Sequence, residues 1–466
     1  MSCVAPAYSF AAILGLLVAA AGVHAPAVVL FSFLPMLFVA TSYYWMNRAD
    51  PDCGTTFAWA TKALGPIPGW LAGWAILTAG VIVTGLLANT AAYYTFDLVG
   101  WEAARDSKWA VIGLAAAVIV VATFVTLRGA EFSARTNVVL MIVQIGGLML
   151  LALTALGRVV FGGGGPTSVT PSLEWFSPFA IDGGVSALVA GVLLAVFAYW
   201  GWDSAVAVNE ETENAAHSPG QSAVMSTVLL LGLYLLATVG CLAWLGPAEL
   251  GGFEDESAVS TIASQVLVSP LDKLAVLAVL VSALASTQST MFAPSRALLS
   301  MARTGAVPGP LATIHPRYHT PSVATIAVGM LSLVFYVVSA GFSESFYASS
   351  LLVIGLLICV NYGLNALSCV IFYRRRMFES AKTVVTMGLL PVLGFAMFAY
   401  IFVRSINDFL PSGVEGATYW FGLQSPLVVA IGLLVVGLLL MLLVLATTGP
   451  GFFRRKLETD PDFHPA

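Results

Sequence analysis

The sequence predicts an all-α polytopic membrane protein with about 12 transmembrane helices, the number of apolar runs of spanning length. Of its 466 residues, 59% are hydrophobic and only 9% charged, where soluble domains average about 25% charged. The mean hydropathy is +0.92. A window of about 20 mainly apolar residues, enough to cross a hydrocarbon core, recurs along the whole chain.

In order, spans are expected near residues 4–23, 26–46, 68–96, 109–127, 136–160, 184–208, 222–246, 271–302, 322–340, 346–373, 383–403 and 426–447. The first holds "CVAPAYSFAA", where Pro6 suits the first position of a helix and Tyr8 and Ser9 add polar atoms within one turn. Before the third span, "CGTTFAWATKALGPIPGW" reads as a segment lying partly along the inner interface, where Trp and Lys anchor. Tyr93 and Tyr94 read as outer-interface anchors at the far end of that span. The outer loop after the fifth span has a four-glycine run and an aromatic end, so it reads as flexible and then partly ordered. The sixth span has about 15 apolar residues before "YWGWDS" and a shorter apolar stretch after it. Between spans seven and eight, "GPAELGGFEDESAVSTIASQVLVSP" reads as a short acidic helix over the external face. After the eighth, "MARTGAVPGPLATIHPRYHTP" reads as an ordered cytoplasmic turn. Asn89, Asn361 and Asn365 are buried amides expected to bond helix to helix. The chain ends in a short polar tail, 448–466, whose basic triplet suits the anionic inner leaflet.

Cytoplasmic loops hold the excess of Lys and Arg. Placing both termini in the cytoplasm puts 14 of the 19 basic residues inside, among them Arg48, Arg303 and Arg374 to Arg376. The five cysteines have no C-x-x-C spacing and read as free thiols; neither metal nor cofactor is expected. No G-x-x-x-x-G-K-[ST] motif occurs, so ion gradients or exchange, not nucleotide hydrolysis, would drive any transport, and no nucleic-acid partner is expected.

The apolar sixth span places "WGWD" near mid-membrane. An aspartate there costs about 2.5 to 3.5 kcal/mol and a glycine weakens the helix by about 1 kcal/mol. Gly201 lets the chain leave helical geometry, and Asp203 reads first as the N-cap of a half-helix starting at Ser204, with a substrate-amine or proton site as the alternative. Interruptions in spans one and six occupy corresponding positions if two inverted repeats of five helices make the core. Such a pair of breaks points to a transporter's binding site.

"FAYWGWDSAVAVNEETEN…SPGQSAVMST" and "SALASTQSTMFAPSRALLSMARTGAVPGPLATIHPRYHTP" resemble the sixth- and eighth-helix signatures of the amino acid, polyamine and organocation (APC) superfamily. "APAYS" and "NRADPDCGTTFAW" are similar to its amino acid permease branch, and the likeness covers nearly the whole chain. The resemblance implies a 5+5 inverted-repeat core with discontinuous helices one and six, plus two peripheral helices. Repeat one would occupy about 1–160, repeat two about 184–373 and the peripheral pair about 383–447, a single domain. It implies substrate held between helices one, three, six and eight. Ala5, Pro6, Ala7, Tyr8 and Ser9, with Tyr199, Trp200, Gly201, Trp202 and Asp203, would be the unwound, substrate-binding segments, and Trp200 and Trp202 gating or side-chain-contacting aromatics. Two departures follow. Relatives carry a cytoplasmic segment and half-helix before the first break, so this chain reads as truncated there, with Met1 just upstream. Some proton-coupled relatives carry N-x6-K in helix five; here Asn137 is followed at that spacing by Gln144, a neutral amide that cannot carry a proton.

Ser286 and Thr287 join Gln144 as ion-coupling candidates, since hydroxyls and carbonyls suit Na+; the alternative is that both hydroxyls bond their own helix. Glu210 and Glu211 are gate candidates with Arg296 as partner. The expected function is secondary active transport of amino acids or related small amines across the plasma membrane, with H+ or Na+ as co-substrate and the lipid bilayer as surroundings. A transporter-fold sensor is the alternative. An integral membrane enzyme is disfavoured because the membrane interior offers only Asp203 as a clear ionisable carboxylate.

Overall fold

A computed structural model describes residues 5–129, 134–342, 346–410 and 418–454. The N-terminal residues up to Val4, the Asn137 side chain and the tail from residue 455 lie outside the described residues.

Helix α1 (Pro6–Ala21) ends at Gly22, whose φ of +54° starts a turn to α2 (Ala25–Ala49). Then come α3 (Thr56–Ala63), α4 (Pro66–Val99), the short α5 (Glu102–Arg105), α6 (Lys108–Leu127) and α7 (Ala134–Val160). The sixth span is split into α8 (Gly184–Tyr199) and α9 (Ser204–Ala207). α10 (Ser218–Leu250), kinked at Gly246, leads to α11 (Ala258–Val266), α12 (Leu271–Ser289) and α13 (Phe292–Arg303). The chain continues through α14 (Ser322–Phe342), α15 (Phe346–Phe372), α16 (Ala381–Thr383) with a π-helical turn, α17 (Leu390–Phe409) and α18 (Ser425–Thr448). A two-residue hairpin pairing Tyr419 with Gln424 precedes α18. Among the described residues, 10 helical segments are long and apolar enough to cross a membrane. One of them, Pro6–Ala49, contains both α1 and α2, and the 16-residue α8 is too short to qualify, so each expected span has a helical counterpart.

α4 lies at the centre, packed against α3, α6, α12, α13, α14 and α15. With no hydrophobic drive between helices in lipid, close approach comes from small residues. Gly355 of α15 sits against Leu193 of α8, where a Cβ would lie 2.6 Å from Leu193 Cγ. The asparagines bond helix to helix as expected: Asn361 Nδ2 donates to Ala72 O of α4 at 3.1 Å, and Asn365 Nδ2 to Ser42 Oγ of α2 at 2.7 Å. α18 lies on the outside of the bundle, tied to α4 where Trp74 Nε1 donates to Leu433 O at 2.9 Å.

Two interfacial expectations are narrowed, since of the first segment only the stretch around Lys62 to Pro68 reaches the surface. α3 is buried in the bundle, with Phe57 and Trp59 wholly enclosed. Its alanines permit the approach, Trp59 Nε1 donates to Asp50 O at 2.8 Å, and Lys62 is neutralised by Asp50 at 2.6 Å, so its polar groups need no interface. Tyr94 is also buried; its hydroxyl donates to Glu256 O at 2.7 Å.

Candidate functional site

The sixth span breaks because α8 stops at Tyr199, Trp200 turns extended (ψ 156°) and Gly201 takes φ +115°, a conformation that strains any residue with a Cβ. The carbonyl of Ala198, left without a helical partner at the α8 end, accepts from the Tyr234 hydroxyl at 2.9 Å. α9 restarts at Ser204, whose N–H donates to Gly201 O at 3.3 Å. Facing the break, α1 starts at Pro6. The Tyr8 N–H, an unpaired donor of that first turn, donates to Ser282 Oγ of α12 at 3.2 Å.

These ends meet around a cavity of about 30 Å³, the space of one water. α1 contributes Ala5, Tyr8 and Ser9, and α4 contributes Val83 and Leu87. Phe197, Trp200, Gly201 and Ser204 come from the broken sixth span, and Ser286, Thr290 and Ala293 from α12, α13 and the turn between them. Among the described residues that line it none is charged, so their fixed electrostatics are those of helix ends: the positive N-terminus of α1 and the carbonyl end of α8. A larger cleft of about 450 Å³ between α6, α7 and α12 is almost wholly hydrocarbon-lined and has no comparable polar groups.

Half of the expected substrate-binding residues line this cavity: Ala5, Tyr8, Ser9, Trp200 and Gly201. Pro6, Ala7, Tyr199, Trp202 and Asp203 do not. The expected unwound stretches are also narrower, because Pro6 to Ser9 already form the first turn of α1 and Tyr199 is the last residue of α8. Tyr199, fully buried, turns away from the cavity and donates to Val29 O of α2 at 3.1 Å. Trp202 is buried between Tyr43 and Tyr362, with ring centroids at 4.9 and 5.2 Å. Asp203 does not cap α9 with its side chain. Its φ of −66° and ψ of −22° are already helical, which aims the carboxylate back at the break, where Oδ2 accepts from Trp200 Nε1 at 3.2 Å. Among the described residues Oδ1 has no hydrogen-bond partner.

Of the ion-coupling candidates, Ser286 reaches the cavity with an unpaired hydroxyl. Thr287 faces away, its hydroxyl donating to Ala283 O at 2.7 Å. Gln144 is buried on α7 outside the cavity lining, and among the described residues its Oε1 has no hydrogen-bond partner.

The gate candidates converge on one side. Arg296, with 6% of its side chain exposed, pairs with both carboxylate oxygens of Glu211, Nε to Oε1 at 2.9 Å and Nη2 to Oε2 at 3.0 Å. Glu210 accepts from Arg303 Nη1 at 3.1 Å and from the Cys53 N–H at 3.0 Å. Burial pushes the Glu210 carboxyl up, but the Cys53 N–H and thiol and the Arg303 charge outweigh it and hold it below its ordinary value. Burial, with Asp52 and Glu210 nearby, pushes the Cys53 thiol well up. Asp52 accepts from Ser300 Oγ at 2.9 Å, and Asn209 Nδ2 donates to Asn47 Oδ1 at 2.8 Å. The loop after α2 and the turn after α9 are thereby bound to each other and to α13.

Sequence reasoning missed Thr290 and Ser204 in the cavity, and Asn47, Asp52 and Asn209 in the latch. Thr290 had a signal, since it stands one helical turn after Ser286. Asn47 lies in the last turn of α2, and Ser204, Asp52 and Asn209 are loop or break residues, for which no periodicity assigns a face.

The sequence profile described as "Amino acid permease" matches residues 2–450. An uncharacterised transporter of Mycobacterium tuberculosis is 28% identical over 283 residues, covering 60% of this chain and 58% of its own length. The chain thus spans less than two thirds of that relative. The low-affinity putrescine importer PlaP of Escherichia coli is 25% identical over 66% of each chain. The branched-chain amino acid permease BcaP of Lactococcus lactis is 25% identical over 78% of each.

Proposed function

Because this chain belongs to the amino acid permease family and is a multi-pass membrane protein, we propose that it is a secondary active transporter of amino acids or related small amines. One observation carries the reading: the broken sixth span and the start of α1 meet at a cavity also walled by α4 and α12. Irregular backbone at membrane depth is tolerated where it lines a cavity. There the α1 N-terminus suits a substrate carboxylate and the α8 carbonyl end suits its ammonium group. Trp200 is positioned to contact the substrate's side chain.

The cavity holds about one water, so an amino acid enters only when the surrounding helices separate. The Glu210, Glu211, Arg296 and Arg303 latch would be the inner gate, with both termini in the cytoplasm and the plasma membrane as the site of action. The two repeats are read as about 1–160 and 184–373, with α17 and α18 peripheral. H+ or Na+ is the proposed co-substrate, and the Ser286 hydroxyl a candidate ligand for Na+. Relatives named for putrescine and for branched-chain amino acids support an amine or amino acid as substrate.

The test is uptake of a labelled amino acid and polyamine mixture into proteoliposomes, with a proton gradient, a Na+ gradient or internal substrate imposed in turn. Accumulation under one condition is expected and names the driving force. Folded protein that accumulates nothing under all three overturns the reading.

A further inference from the structure

Between α10 and α11 the chain folds back onto the bundle instead of crossing over it. Gly15 of α1 is in direct contact with Phe253, whose carbonyl oxygen occupies the place a Cβ would need, and a Cβ on Gly251 would lie 3.3 Å from the Ala19 backbone. These bare glycine contacts seat the acidic run Glu254, Asp255 and Glu256. The first two are exposed, but Glu256 is 3% exposed; the short helix expected here, α11, begins only after these three acids.

Glu256 Oε1 accepts from Asn89 Nδ2 of α4 at 3.0 Å, and Asn89 Oδ1 in turn accepts from the Tyr336 hydroxyl of α14 at 2.8 Å. The ionisable groups facing Glu256 are Asp255 beside it, Tyr8 on α1, Tyr93 and Tyr94 on α4, Tyr336 on α14 and Tyr347 on α15. None of them is a cation. Among the described residues no Lys, Arg or His pairs with Glu256; Arg105, which lies over the Tyr93 ring, is taken by Asp97 and Asp106. Tyr8 also lines the substrate cavity, so Glu256 stands on the outer side of the same polar column.

We propose that Glu256 is a proton-binding residue of the transport cycle, its neutral form holding the 251–257 loop closed over the cavity and its ionised form releasing it. Taking an unpaired carboxylate out of water is far less favourable than taking the neutral acid. Closure therefore draws a proton from the outer medium onto Oε2, the oxygen that Asn89 does not engage, and opening returns it to that side. Burial, reinforced by Asp255, pushes the Glu256 carboxyl up to about 8 against the hydrogen bonds that favour its ionised form. Its stabilisation of the closed loop is complete below the ordinary glutamate range and is lost as pH rises through about 8.

The cycle rests on the transporter reading; the protonation does not, so the experiment reads them separately. Infrared difference spectra across a pH step should show the C=O stretch of a neutral carboxylic acid in wild type that is missing in Glu256→Gln. Protection of residues 251–266, taken relative to the base-catalysed intrinsic exchange rate at each pH, should fall at least severalfold as pH rises in wild type and stay high and constant in the variant, which mimics the neutral acid. In proteoliposomes at fixed internal pH, uptake should depend on external pH in wild type and lose that dependence in Glu256→Gln. An infrared signal that survives the substitution, or loop exchange with the same pH dependence in both proteins, overturns the proposal. Expected spectra and exchange without uptake in either protein would sustain the proton site and overturn the transporter reading instead.

Discussion

Gly201 is the residue on which the broken span turns. Its φ of +115° costs an L-residue about 1 to 3 kcal/mol, and a side chain there would project from a wall of a cavity with room for about one water. Gly201→Leu is expected to reach the membrane and to lose at least tenfold in proteoliposome uptake; unchanged uptake would remove the site from this break. Asp203 behaves differently because it faces the Tyr43, Trp202 and Tyr362 cluster rather than the cavity. Asp203→Asn keeps an acceptor for Trp200 Nε1, so uptake within about threefold of wild type is expected, as for an isosteric swap worth under about 1 kcal/mol. A complete loss would place the charge itself in the transport step. The sequence made the break legible, because a glycine and an aspartate inside an apolar run demand an account. It could not make the direction of Asp203 legible, since helical periodicity assigns no face once the helix stops. Glu256 was legible only as one acid among three, and its burial depends on Gly15 and Gly251 letting a loop touch α1.

At the scale of elements, α12 shows how far periodicity carries. Ser286 and Thr290 share a face and reach the cavity, while Thr287, one residue on, spends its hydroxyl on its own helix. Spans were read correctly in number and order because each is an apolar run of sufficient length. The burial of α3 was not, because an amphipathic segment of eight residues looks alike at an interface and in a protein interior. The latch between the α2–α3 loop, the turn after α9 and α13 can be read through a native thiol. Cys53 is buried and its N–H donates to Glu210, so Glu210→Gln is expected to raise its labelling rate by a permeant thiol reagent severalfold. Equal rates would separate the latch from access. Since the Glu210 carboxyl is held low, its contribution is present above the ordinary glutamate range and is lost only as pH falls through that depressed value. Labelling of Cys53 after correction for thiolate content should therefore stay flat as pH falls to that range and rise only below it. Glu211→Ala leaves the buried Arg296 without its counter-charge; a stability loss of about 1 to 2 kcal/mol, read as a lower unfolding temperature, is expected because Glu211 itself is half-exposed.

For the whole molecule, the distribution of basic residues carries an expectation of orientation that no single helix could. Arg374 to Arg376, between α15 and α16, are expected on the cytoplasmic side. A cysteine at position 375 should react with an impermeant reagent in inside-out vesicles and not in intact cells. The reverse pattern would invert the molecule and with it the assignment of inner and outer gates. The centre of the bundle was also foreseeable in outline, since α1, α4, the sixth span and α12 all reach the cavity. Its small volume in this conformation was not, because that depends on how closely helices approach and not on which residues they carry.

α18, the sheathing helix tied to α4 through Trp74 and Leu433, has 24 residues and so a length of about 36 Å, against a hydrocarbon core of about 30 Å. Such a mismatch is met by tilt or by local thickening of the bilayer, at fractions of a kcal/mol per Å. Lengthening or shortening the lipid acyl chains is expected to alter that tilt, and the Trp74 contact to pass the altered angle to the central helix of the bundle. On that expectation membrane thickness would act on the molecule as a mechanical load, set by the lipid composition rather than by any solute.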